Sequence, residues 1–190
     1  MLAEFVDFVD SVLPSVSPDF RDGAKNAILQ FEKEGNKINY ISSGLLTQLS
    51  QGDIISDIPF TYFDKDGQQK IFRAEAMIIS TSCHIDRKNK LLFVPLLPLM
   101  EFRGNEKELK DNIIFDYMYI PDIAGKFVTF NIVSACDREL ILKGIETKKI
   151  RRVASLNQIG YYFFIIKLSV YFMRKEDSDT LEERKLKEVV

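Results

Sequence analysis

Two short apolar runs, Ala76-Met77-Ile78-Ile79 and Leu91-Leu92-Phe93-Val94, flank a polar, turn-forming stretch from Ser80 to Lys90. Continuous apolar runs bounded by turn signals read as strands buried on both faces, so residues 76–99 predict a central hairpin. Asn89 supplies a residue that tolerates positive φ at the reversal. Pro95 and Pro98, with no N–H to donate, mark the end of the second strand. Upstream, Asp53-Ile54-Ile55-Ser56 reads as a strand entry and Phe60-Thr61-Tyr62-Phe63 alternates as a half-buried strand. Asp66-Gly67 is a hairpin turn, with Gln69 to Phe72 returning. Five short strands in under fifty residues predict a small barrel or a strongly curled sheet.

The flanks carry helical periodicity. Apolar residues at positions 5, 6, 8, 9, 12 and 13 predict an amphipathic helix that stops before Pro14. Ser17-Pro18 offers a cap and a first-turn proline for a second helix, with Phe20, Ala24, Ala27, Ile28 and Phe31 on one side and an end near Gly35-Asn36. Tyr40 to Leu49 predicts a third. Residues 101–116 are charged and irregular, a long loop or a short helix. Strand pattern resumes at 117–120 and 127–133 around the turn Asp122–Gly125, followed by an extended piece near Leu140–Leu142. Ser155 and Gln158 match a capping box that opens a helix running to about Arg174, apolar nearly all round and therefore buried. The chain is thus expected to be α+β with a mainly β core: a helical extension over 1–50, a barrel with a C-terminal helix over 51–175, and a charged tail over 176–190.

Composition changes this picture little. The chain of 190 residues is 46% hydrophobic and 28% charged, enough for a core within one domain. Two cysteines make no disulfide framework and point to the cytoplasm. The acidic start MLAEFVDFVD lacks the bases of an export signal, and the apolar window 159–173 is short for a membrane span and broken by Lys167. No membrane association is expected.

Charge adds one feature. The net charge is −2, so the bulk field does not favour nucleic acid. Residues 138–152 nevertheless hold six bases against two acids, and Lys148, Lys149, Arg151 and Arg152, with Lys88 and Lys90, are candidate nucleic-acid contacts. A solvated strand edge would carry the same pattern.

The chemistry-bearing residues gather around the hairpin: Arg73, Ser80, Thr81, Cys83, His84, Asp86 and Arg87. RNA cleavage by the 2′-OH needs a base, an acid and positive charge at the phosphate. Histidine is the one side-chain type whose ordinary charge change falls near neutrality, so His84 is the candidate for either proton role. Arg73 and Arg87 suit the phosphate, and Asp86, Ser80 and Thr81 suit hydrogen bonding. Equally, His84 can be a surface histidine and Arg73 an edge-strand ion-pair partner. Cys83 beside His84 is poorly placed for a nucleophile–base pair on an extended chain. Cys83, His84, Cys136 and Asp137 lack paired zinc-ligand spacing, so no metal or cofactor is expected, and both cysteines are expected buried and reduced.

Gly52-Asp53-Ile54, the turn Asp66-Gly67, Arg73 ahead of Ala76-Met77-Ile78-Ile79-Ser80, and Leu92-Phe93-Val94-Pro95 form an ordered set that resembles the MazF/PemK toxin family over about residues 50–100. The resemblance implies an SH3-like barrel with a C-terminal helix, a metal-independent, sequence-selective endoribonuclease that cleaves single-stranded RNA, a homodimer, and a protein partner such as an antitoxin. It departs at two points. The family places Thr or Ser after the Val-Pro strand, where this chain has Leu96, Leu97 and Pro98, and its arginine stands two rather than three residues before the strand's small residue. Two functions follow as expectations: a toxin-type ribonuclease built on Arg73, His84 and Arg87, or a barrel without catalysis that binds RNA or DNA, or assembles, within a bacterial antiviral-defence or toxin–antitoxin complex.

Overall fold

A computed structural model describes residues 22–23, 25–26, 29–30, 33–34, 38–123, 125–172 and 177–187. Its core is one seven-stranded antiparallel sheet. The strands are β1 (Ile54–Phe63), β2 (Gln69–Ile78), β3 (Lys90–Pro98), β4 (Tyr117–Tyr119), β5 (Lys126–Thr129), β6 (Ser134–Asp137) and β7 (Arg152–Ala154). They run in the order β4-β5-β3-β2-β1-β7, with β6 also paired to β3. Among the described residues no pairing joins β7 back to β4, so the sheet is open and not the closed barrel expected.

β3 is the hub. It pairs β2 at Phe93–Pro95, β6 at Lys90–Phe93 and β5 at Leu96–Pro98. Pro95 does not end the strand, as the sequence predicts. It sits where β6 has stopped and β5 has not begun, so its missing N–H deprives no ladder on that side. Period-two alternation then sorts the apolar residues between two faces. Ile54, Met77, Val94 and Val128 pack with Phe163 and Phe164, while Ile55, Ile78 and Phe93 pack with Ile85 and Ile141. The first face is covered by α4 (Gln158–Phe172), the second by α1 (Ser82–Arg87) and α3 (Arg138–Glu146). Two further helices, α2 (Glu106–Lys110) and α5 (Ser178–Lys187), complete the described residues outside the N-terminal stretch.

Several expectations change. The two predicted upstream strands are one, β1, broken by a bulge between Ile55 and Ile58 where Asp57 adopts φ 64°. Pro59 follows within β1 where that strand has no partner on its second side, because β7 pairs only Ile54 and Ile55. The polar stretch of the central hairpin is the helix α1 rather than a loop, and Asn89 keeps negative φ. Residues 140–142 lie in α3, not in a strand, because the Asp137 carboxylate accepts from the N–H groups of Glu139 and Leu140 and starts a helix there.

α4 starts at Gln158, two residues later than the capping box at Ser155 predicts. Asn157, not Ser155, supplies the cap, accepting from the Gly160 N–H at 2.9 Å. Ser155 is buried and its hydroxyl accepts from Leu46 N–H. Residues 40–49 form an irregular arm with one bridge, Ile41 to Leu156, and no helix. The arm is held by Tyr40, which stacks on Phe163 and whose carbonyl accepts from Asn157 N–H. A Cβ at Gly160 would lie 2.3 Å from that carbonyl, so only glycine admits the arm.

The helix expected over residues 4–12 lies outside the described residues. The described residues between 22 and 34 are helical, and Gly23 fits against the Tyr162 ring of α4, where a Cβ would come within 2.2 Å. In the tail, α5 is helical from Ser178.

Candidate nucleic-acid interface and the cleft at Arg73

β2 leaves β3 at Ala76. From Gln69 to Glu75 it pairs only with β1, while β3 turns away to pair with β5. The divergence opens a cleft of about 540 Å³ between Phe72–Glu75 and Leu96–Pro98, with Lys126 and Glu101 at its margin. Arg73 lines this cleft, as do Tyr62 and Lys70. The three cations are not free. Arg73 donates to the Asp57 carboxylate and carbonyl, both at 2.8 Å. Lys126 bonds Glu75 at 2.8 Å, and Lys70 stands 3.2 Å from Asp64. Hydrogen bonds from the Gln68 backbone and then from Lys70 hold the Asp64 carboxyl below the usual carboxylate range. The cleft therefore offers no uncompensated positive charge to a phosphate.

The other expected active-site residues lie beyond the far end of β2. Five residues separate Arg73 from Ile78, roughly 16 Å at 3.3 Å per residue. Past that end, Ser80 is buried and its hydroxyl accepts from Leu92 N–H at 2.9 Å, closing the hairpin. The Thr81 hydroxyl meets Cys83 Sγ at 3.2 Å. His84, Asp86 and Arg87 are exposed on α1, and Ile85 anchors that helix in the core. α1 is held at the β1 entrance by the Ser82 hydroxyl, which accepts from Gln51 N–H, and by Arg138 Nε, which donates to the Ile85 carbonyl at 2.5 Å. His84, Asp86 and Arg87 thus share one short helix, with Arg73 on β2 outside it. Cys83 is exposed rather than buried, while Cys136 is buried; both are free. Among the described residues no group of His, Cys, Asp and Glu is arranged to hold a metal ion.

The basic residues also divide. Arg152 is an internal residue: its guanidinium bonds the fully buried Asp53 carboxylate at 2.7 Å and the Gln48 carbonyl at 3.1 Å. Asp53 also accepts from Ser50 N–H. Gly52-Asp53 thus gains a structural reading, in which Gly52 at φ 85° makes the turn and Asp53 fixes Arg152. Lys90 reaches Asp137 at 3.5 Å and Lys88 is exposed. Lys143, Lys148, Lys149 and Arg151 are exposed around the turn from α3 to β7, and none has a carboxylate partner among the described residues. That turn is fixed by Lys148 at φ 59° and by the Thr147 hydroxyl bonded to the Lys143 carbonyl at 2.8 Å. Across from it, Ser56 exchanges two hydrogen bonds with the Arg151 backbone, N–H to carbonyl at 2.8 Å and N–H to hydroxyl at 2.9 Å. Sequence reasoning marked this turn but missed Lys70, Glu75 and Lys126 at the cleft, which only the β2–β3 divergence brings together.

These features define a mixed helix–sheet protein with an open antiparallel sheet, a charge-balanced cleft and an uncompensated basic turn. No protein-family model and no curated protein matches the chain. Among solved structures it is similar to a chain in the crystal structure of MazE–MazF (Form-II) from Deinococcus radiodurans. The identity is 10%, the TM-score 0.38, and the match covers 67% of this chain and 97% of that chain. A likeness this loose assigns neither family nor function. No helix among the described residues is long and apolar enough to cross a membrane.

Proposed function

We propose that this protein binds nucleic acid without cleaving it, through the basic turn between α3 and β7. The observation that carries the reading is the pairing state of the cations. Lys143, Lys148, Lys149 and Arg151 stand in solvent without carboxylate partners among the described residues, on a turn whose backbone is pinned at both ends. Their charge is available to phosphates, and each phosphate neutralised releases counterions. The cleft cations already hold carboxylates, and a phosphate there would have to displace Asp57 or Glu75 first. Catalysis is the less supported alternative. Arg73 lies on β2 and His84 on α1, beyond the far end of that strand, and the positions after Val94-Pro95 carry Leu96 and Leu97, which have no hydroxyl to assist attack.

Fluorescence anisotropy with a labelled single-stranded RNA, repeated with duplex DNA and across salt concentrations, tests this. The wild type should bind with an affinity that falls steeply as salt rises. The K148A/K149A/R151A variant should bind more weakly, with a log–log salt slope shallower by roughly 2 to 3, at about 0.7 to 0.9 per lost phosphate contact. A slope unchanged by the triple substitution rejects the basic turn as the interface.

A further inference from the structure

Lys167 is the one charged residue type buried in the middle of α4. It is 2% exposed, and its Nζ donates to the carbonyls of Asn112 at 3.0 Å and Ile114 at 2.5 Å. The Phe115 ring centre lies 5.8 Å away. Among the described residues no carboxylate is in ion-pair contact with it. A neutral amine has two N–H groups, and here it meets two carbonyls. A third proton adds a full charge to a side chain that is almost wholly removed from water, where the two carbonyls, the ring face and Asp116 at longer range are what favour it.

The segment that Lys167 holds is itself a fastening. Asn112 adopts φ 55° and its side-chain amide bonds both the N–H and the carbonyl of Tyr119, at 2.7 and 3.0 Å. Tyr117 of the same strand packs edge-on against Phe102 and Phe127, next to Lys126 at the cleft. The amine thus ties α4 to the 112–116 turn, and Asn112 ties that turn to β4, which pairs with β5.

We propose that Lys167 is a proton-controlled latch: proton uptake by its amine loosens the hold of α4 on the 112–116 turn, and with it the seating of β4 against β5. The groups facing it are few. The turn contributes Asp116, which favours the charged form, while Asp111 at the end of α2 is held by Lys107. β4 contributes Tyr117 and Tyr119, and α4 itself Tyr161, Tyr162 and Tyr171. Burial lowers the Lys167 amine to about 7, against the ordinary lysine range it regains when the segment opens. The latched state thus carries fewer protons than the open state between about pH 7 and the ordinary lysine pKa. Its stability rises with pH through that window and is lowest, and flat, below it.

Native-state hydrogen exchange of the full chain between pH 7.5 and 9 reads this directly. After correction for intrinsic exchange, amides of residues 112–119 should gain about tenfold in protection per pH unit. K167M, which keeps length and removes the amine, should show protection there that does not change with pH. Protection independent of pH in the wild type, or the same pH dependence in K167M, overturns the latch. If K167M does not fold, a titration of the wild-type Lys167 side chain by nitrogen-15 NMR decides. A midpoint near 7 upholds the latch, and a midpoint above about 9.5 overturns it.

Discussion

Arg152 carries the sharpest test at the scale of single residues. The sequence presents it as the last member of a basic run, indistinguishable from Arg151 beside it. The fold turns Arg151 outward and Arg152 inward, because β7 alternates faces where it pairs with β1. Inside, Arg152 compensates a carboxylate that is fully buried through Asp53 Oδ2, while Asp53 Oδ1 and Arg152 Nε have no hydrogen-bond partner among the described residues. Removing one member of such a pair leaves the other charge stranded, at a cost of about 3 kcal/mol or more. Arg152→Ala should therefore lower the denaturant midpoint strongly, whereas Arg151→Ala should leave it within error and weaken RNA binding. Equal stability of the two variants would refute the inward assignment of Arg152. Gly160 makes a second test: Gly160→Ala drives a methyl into the Tyr40 carbonyl, and thermal melting should show a clear loss of stability.

Among elements, the strands of the hairpin were legible because their apolar runs are short, continuous and bounded by turn residues. The helices α1 and α3 were not. In α1 only Ile85 is buried, so six residues carry no periodicity to read. In α3 the run Leu140-Ile141-Leu142 looks extended, and the deciding feature is the Asp137 cap just before it. Asp137 holds its carboxyl below the usual range through hydrogen bonds, first from Leu140 N–H, with Lys90 adding charge. Asp137→Ala should shorten α3 and lower the melting temperature. Because the folded carboxyl ionises more readily than the unfolded one, the wild-type advantage should be complete above about pH 4 and vanish as the pH falls further. A melting difference that persists undiminished at pH 2 would mean that the carboxylate is not the cap. The capping box at Ser155 failed for a tertiary reason: the arm at residues 42–46 takes the Ser155 hydroxyl and carbonyl for itself.

For the whole molecule, the pattern of apolar runs predicted a β core with a helix packed on it, and that much stands. Closure into a barrel is not a local property, since it depends on whether the first and last strands meet, and no residue pattern encodes that. The same holds for the candidate site. Arg73 and His84 are eleven positions apart, close enough on paper to share a site. They are separated because β2 continues straight for five residues past Arg73 before α1 begins to form. Charge pairing was likewise hidden, because Asp57 meets Arg73 only through the β1 bulge.

The decisive measurement is the integrity of long single-stranded RNA incubated with a large excess of the purified protein, followed on a denaturing gel beside Arg73→Ala and His84→Ala. The account predicts RNA bound yet intact over the whole time course, with all three proteins alike. Cleavage by the wild type that disappears in both variants would contradict it, because it would require Arg73 and His84 to act on one phosphate.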